Sequence, residues 1–220
     1  MEYKFQDVRV LIWDFDGTLY KPNPALFAEV RESEYRAIMK HTGWPREKTI
    51  EEFHKLHKVT IQSATAVVAK LSDIPISEAA VESEEFFDRR KYLSRDPKLI
   101  DLFASLKGFR HFILANGIAA KHKDMLQVLG VPVDTFEELV TSETVGVTKP
   151  DEKGFRYILA KTGLPPTAHM MIGDREAVDL IPAKTVGMHT CMVWTDIQSE
   201  VADVTLPTVY DVALLFPVKS

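Results

Sequence analysis

The 220-residue chain holds a single cysteine, Cys191. One thiol cannot close an internal disulfide, so a disulfide-held fold is excluded and a reducing compartment is indicated. Cys191 lies in the apolar run 188–194, where a buried structural thiol is expected. No apolar stretch approaches the roughly 18 residues that a membrane helix needs, so no membrane partner is expected. Residues 1–5 lack the long apolar core of a secretory leader. The expected location is the cytoplasm. Blocks of like charge are missing as well. Lys and Arg number 27 against 32 Asp and Glu, a net charge of -5, which argues against a nucleic-acid polymer as partner. Internal repeats and low-complexity segments are absent. Nothing in the sequence separates a monomer from a homodimer.

What is present is a rhythm. Short apolar runs recur at 8–13, 111–114, 138–141, 169–172 and 189–194. They are too continuous for half-exposed strands and predict strands buried on both faces, as in a parallel sheet flanked by helices. Segments 98–106, 121–129 and 153–161 between them have helical spacing. The alternation predicts an α/β, doubly wound, Rossmann-like parallel sheet. Segment 204–216 is expected to add a last strand and helix.

Residues 21–95 break the rhythm. Leu26, Phe27, Val30, Ala37 and Ile38 share one helical face, and Ala64, Val67, Val68 and Leu71 another. Thr49-Ile50-Glu51-Glu52 has the form of a capping box, and Ser77 that of an N-cap for a helix running through Phe86 and Phe87. The expected organisation is an α/β core over 1–20 and 96–220, with an all-helical insert of about four helices over 21–95.

Candidate chemistry sits at the strand ends. In Asp14-Phe15-Asp16-Gly17-Thr18, two carboxylates at i and i+2 leave a buried strand on the same side. Like charges this close call for a cation. A second apolar strand runs into Gly173-Asp174, with Asp179 five residues further on. Acids from two strand ends in one crevice make an oxygen-rich site suited to Mg²⁺. Asp14 and Asp174 are the expected ligands, and Asp179 a ligand or an orienting neighbour. Lys149, kept out of helix by Pro150, is the cation available to balance a bound phosphate. Asn116 and Gly117 close another strand end, where backbone N–H groups can hold phosphate oxygens.

Taken in order, Asp14 to Thr18, Ala115-Asn116-Gly117, Lys149-Pro150 and Gly173-Asp174 with Asp179 resemble the haloacid dehalogenase-like hydrolase superfamily of phosphatase type. The resemblance spans residues 8 to 195. It implies that the helical insert is a cap, and Gly17-Thr18-Leu19-Tyr20 is similar to the pyrimidine 5′-nucleotidase-like branch. It further implies Asp14 as nucleophile, Asp16 as general acid and base with its backbone carbonyl on the metal, and Lys149 as charge stabiliser. Thr18, Asn116, Gly117 and Lys149 would bind phosphate. The implied reaction is Mg²⁺-dependent hydrolysis of a small phosphomonoester through an aspartyl-phosphate. Asp16 argues against a dehalogenase, because a halide leaving group needs no acid. A phosphomutase shares the same motifs. One departure stands out: Ala115 occupies the place where the family carries Ser or Thr. It leaves open a catalytically weakened protein that binds a phosphate ligand.

Overall fold

The computed structural model describes residues 5–21, 23–59 and 62–216. Residues 1–4 of the leader expectation and 217–220 of the expected core segment lie outside these. The strands are β1 (Val10–Trp13), β2 (Arg110–Leu114), β3 (Glu138–Val140), β4 (His169–Gly173), β5 (His189–Met192) and β6 (Val204–Thr205). They form one sheet in the order β3-β2-β1-β4-β5-β6, with every pairing parallel. All four residues of β1 are buried, as a continuous apolar run in a sheet covered on both faces must be.

The helices between β1 and β2 are α1 (Pro24–Thr42), α2 (Arg46–Leu56), α3 (Ala64–Ser72), α4 (Ile76–Glu82) and α5 (Pro97–Ser105), with a 3-10 turn at Arg89–Tyr92 before α5. After β2 come α6 (Ala119–Leu129), α7 (Ser142–Val145), α8 (Lys153–Thr162) and, past a π-helical turn at Glu176–Leu180, α9 (Ile181–Thr185). A 3-10 helix, Val209–Leu215, ends the described chain and follows β6, as the sequence predicts.

Two apolar layers sandwich the sheet. Leu11, Trp13 and Ile113 pack with Leu102 and Phe103 of α5 and with Met125 and Leu126 of α6. Val10, Ile12 and Phe112 pack on the opposite face with Phe155 and Ile158 of α8 and Ala183 of α9. The sheet is therefore doubly wound. Cys191 is fully buried in the first layer. A third apolar cluster belongs to α1–α4 alone and centres on Tyr35, Ile38, Phe53, Val67 and Val68.

Two expected caps are corrected. α2 begins at Arg46 after Pro45, so Thr49 lies inside the helix and its hydroxyl donates back to the Pro45 carbonyl. α4 begins at Ile76, Ser77 caps nothing, and the helix stops at Glu82, before Phe86 and Phe87. Pro75 presets the entry of α4, and the caps with side-chain hydrogen bonds in this region are Asn23 for α1, Ser63 for α3 and Asp88 for the 3-10 turn. Among the described residues, no helix is long and apolar enough to cross a membrane.

Candidate active site

The strand order reverses at β1. From β1 the chain moves to β2 and β3 through α5 and α6 on one face, then returns to β4 and β5 through α8 and α9 on the other. A crevice opens at the carboxyl ends of the strands at such a switch point. Asp14 directly follows β1, and Asp174 directly follows β4. The Asp14 N–H donates to the Ile172 carbonyl at 2.9 Å, which extends the ladder by one residue. Gly17 then turns the chain with φ of 82°. A Cβ on Gly17 would lie 2.6 Å from Asp174 Oδ2, so glycine is what lets the two strand ends meet. Trp194 pins the turn from outside, donating Nε1–H to the Thr18 carbonyl at 2.9 Å.

Four charged side chains converge here. Lys149 Nζ donates to Asp14 Oδ1 and to Asp179 Oδ1, each at 2.6 Å. Asp14 is only 2% exposed, and Lys149 and Asp179 are also buried. Burial alone would lower the lysine pKa, but Asp14 and Asp179 more than offset it and raise it. Asp179 spends its other oxygen on the Arg175 backbone N–H at 3.2 Å. Asp174 has only a loose ion pair, with Arg175 Nε 3.7 Å from its Oδ1. Burial, then Asp14 and Asp179, push its carboxyl well above the ordinary range, and its buried Oδ1 has no hydrogen-bond partner among the described residues. Carboxylate oxygens of Asp14, Asp174 and Asp179 lie within 4.8 Å of one another. An oxygen-only donor set with one bare buried oxygen fits a hard divalent cation such as Mg²⁺.

Asp16 points into a different network. Its Oδ1 accepts from the Tyr20 hydroxyl and, at 2.7 Å, from Arg89 Nη1. Arg89 also clasps Glu84, with contacts of 2.5–3.0 Å to both carboxylate oxygens. Burial works to raise the Asp16 pKa, but Arg89, His122 and the Tyr20 hydroxyl outweigh it and hold the carboxyl below its ordinary value. Asp16 is therefore ionised in this state.

The Thr18 hydroxyl is fully buried and donates to Asp14 Oδ2 at 3.1 Å, so its partner is Asp14 rather than an open site. Asn116 spends its side chain on the Lys149 loop. Its amide donates to the Lys149 carbonyl at 3.0 Å and its carbonyl accepts the Lys149 N–H at 2.7 Å. Gly117 borders the crevice, and its carbonyl accepts from the Ser142 hydroxyl.

Above the strand ends lies a cavity of about 730 Å³, walled by Asp16, Gly117 and Asp174 below and by Val30, Glu34 and Arg89 above. Its volume lies within the usual range of small-molecule sites.

The haloacid dehalogenase-like hydrolase family model matches residues 8–187. This chain belongs to that family. The haloacid dehalogenase-like chain is 28% identical over 200 residues to the glyceraldehyde 3-phosphate phosphatase of Methanothermobacter thermautotrophicus, covering 84% of this chain and 85% of that one. It is 34% identical over 97 residues to the pyrimidine 5′-nucleotidase of Escherichia coli, covering 43% of each. In fold it is similar to a haloacid dehalogenase-like phosphatase from Thermococcus onnurineus, with a TM-score of 0.66 at 22% identity, covering 94% of this chain and 97% of that one.

The family departure at Ala115 has a structural expression. The side chain is buried among the apolar residues that include Phe15 and Ile113, and it offers no hydrogen-bond donor. Sequence reasoning missed Arg89, Glu84 and Glu34. Arg89 stands in the basic run Arg89-Arg90-Lys91, and nothing in that run marks which residue turns inward. It missed His122 too, whose ring packs on Phe15 at 4.6 Å and lies under Gly117.

Proposed function

We propose that the chain is a Mg²⁺-dependent phosphatase that hydrolyses a small phosphomonoester through an aspartyl-phosphate on Asp14. The observation that carries the reading is the bare Asp174 oxygen beside Asp14, with Lys149 held between Asp14 and Asp179. The named phosphatases among the relatives support the same class. Asp14 and Asp174 would hold the ion, joined by the Asp16 backbone carbonyl, with Asp179 orienting Lys149. Bound there, Mg²⁺ supplies the positive charge that lets an anionic nucleophile meet an anionic phosphate.

The chain's own residues do the rest. Thr18 and Lys149 fix the two oxygens of Asp14, which sets the direction of attack. Asp14 attacks phosphorus, the bond to the leaving oxygen breaks, and that oxygen takes a proton from Asp16. Water then attacks the aspartyl-phosphate, Asp16 takes its proton, and phosphate leaves with Asp14 restored. Asp16 must first gain a proton. A phosphate dianion arriving beside it favours the neutral form, as any neighbouring negative charge does. Backbone N–H groups at Asn116 and Gly117 would receive phosphate oxygens. The helical segment 21–95 acts as a cap on a core of 1–20 and 96–220, closing the cavity and selecting the leaving group. The enzyme works in the cytoplasm on a small phosphorylated metabolite.

The test is phosphate release from a panel of phosphomonoesters with and without Mg²⁺, for the wild type and Asp14→Asn. Mg²⁺-dependent release that the variant lacks supports the reading. A folded wild type that releases nothing contradicts it. A second reading, a phosphate-ligand binder with weakened catalysis, is favoured by Ala115. Loss of one donor to a charged transition state costs about 2.7–4 kcal/mol. That reading predicts phosphate-analogue binding without release.

A further inference from the structure

The wall of the cavity contributed by α1 holds a carboxylate oxygen, Glu34 Oε2, without a hydrogen-bond partner among the described residues. Glu34 is 4% exposed and borders the cavity. Arg31 Nη1 lies 2.8 Å from its Oε2, but the approach is out of hydrogen-bond direction, and neither atom has a hydrogen-bond partner among the described residues. The buried cation on this wall, Arg89, is already committed, shared between Glu84 and Asp16. Burial pushes the Glu34 carboxyl up to about 7 against the pull of Arg31 and Arg89. The wall residues Phe27, Val30, Ala64 and Ala80 offer no donor side chain, and the Ser83 hydroxyl on the same wall has no hydrogen-bond partner among the described residues. The site is firmly built, since the adjacent Ser33 hydroxyl ties α1 to the Ser83 carbonyl at 2.6 Å. A buried acceptor facing a ligand cavity without a donor is costly unless the ligand supplies one.

We infer that Glu34 determines specificity for the leaving group, by accepting a hydrogen bond from a hydroxyl or ammonium group that the substrate carries beyond its phosphate ester. The substrate class is thus a donor-bearing phosphomonoester, a polyol phosphate or an amino-alkyl phosphate, rather than a purely apolar ester. The kinetic consequence rests on the phosphatase reading; the binding preference does not.

The experiment pairs compounds of matched length. Glycerol 3-phosphate and 3-aminopropyl phosphate are compared with propyl phosphate, and ribose 5-phosphate with pentyl phosphate. The wild type, Glu34→Gln and Glu34→Met are assayed for phosphate release, with p-nitrophenyl phosphate as a substrate lacking a donor. The wild type should prefer the donor-bearing member by about tenfold or more in kcat/KM, as one hydrogen bond to a charged group allows. Both variants should lose most of that preference through KM and keep kcat for p-nitrophenyl phosphate within about twofold. Wild-type preference for hydroxyl over ammonium, or the reverse, names which donor is read. An equal preference in wild type and variants overturns the inference, as does a wild-type preference for the alkyl esters. Calorimetric binding of the same pairs to Asp14→Asn, with and without Glu34→Gln, separates the two readings. If the wild type releases no phosphate, the phosphatase reading fails, and the calorimetric preference still decides the role of Glu34.

Discussion

Asp16 and Glu34 are both carboxylates on the cavity wall, and their neighbours drive them in opposite directions. Asp16 meets Arg89 and the Tyr20 hydroxyl and stays ionised. Glu34 has an ill-directed Arg31 and a more distant Arg89 against its burial, and its pKa moves from 4.5 to about 7. A raised carboxyl pKa in the folded state has a definite linkage sign. Between pH 4.5 and about 7 the folded chain binds the extra proton, so stability falls as pH rises through that window and levels off above it. The full effect is on the order of 3 kcal/mol. Glu34→Gln removes it. Metal-free thermal melts should show the variant gaining on the wild type from pH 5 to pH 8, by several degrees at pH 8. A Tm difference that does not change with pH contradicts the Glu34 assignment. The sequence marks the strand-end acids and hides the cavity acid. Asp14, Asp16 and Asp174 stand next to apolar runs and glycines that mark strand ends. Glu34 stands among alternating charges on a long helix, where a solvated face and a cavity wall look the same.

Strand ends and the loops after them position the chemistry. β1 and β4 deliver Asp14 and Asp174 side by side because the sheet reverses between them, and Gly17 permits the approach. Lys149 has no strand or helix of its own; the Asn116 amide at the end of β2 holds its loop by two hydrogen bonds. Asn116→Ala should therefore lower kcat/KM by about 10- to 100-fold, equivalent to roughly 1.4–2.7 kcal/mol, through loss of Lys149 placement. Steady-state kinetics check this, and an unchanged kcat/KM would show that the loop holds itself. Buried strands were legible in the sequence because continuous apolar runs have few alternatives in an α/β chain. Helix starts were less so. The Thr49 and Ser77 caps failed because Pro45 and Pro75 preset helix entry earlier, and a capping-box pattern also occurs inside a helix.

Across the whole molecule, charge from two halves meets at one crevice. The sheet brings three carboxylates and one lysine, and the helical segment brings Arg89 across to Asp16. Lys149, with Arg175 Nε 3.7 Å from Asp174 Oδ1, does not balance three close carboxylates, so a divalent cation should stabilise the folded chain. Saturating Mg²⁺ is expected to raise Tm, by an amount corresponding to about 2.7 kcal/mol at a hundred times Kd. Asp174→Asn should abolish that shift without lowering the metal-free Tm, because it removes a repelled carboxyl. A variant that keeps the full Mg²⁺ shift places the ion elsewhere. Arg89 joins the helical segment to the loop after β1 through ion pairs with Glu84 and Asp16. In the proposed reaction Asp14 carries the phosphoryl group covalently. Acid quench of the enzyme during turnover with Mg²⁺, followed by mass spectrometry of the peptide that contains Asp14, tests this. The expected result is one added phosphoryl group on Asp14 that disappears as substrate is exhausted. Phosphate release at the full rate with no labelled peptide, and with activity retained in Asp14→Asn, would contradict it.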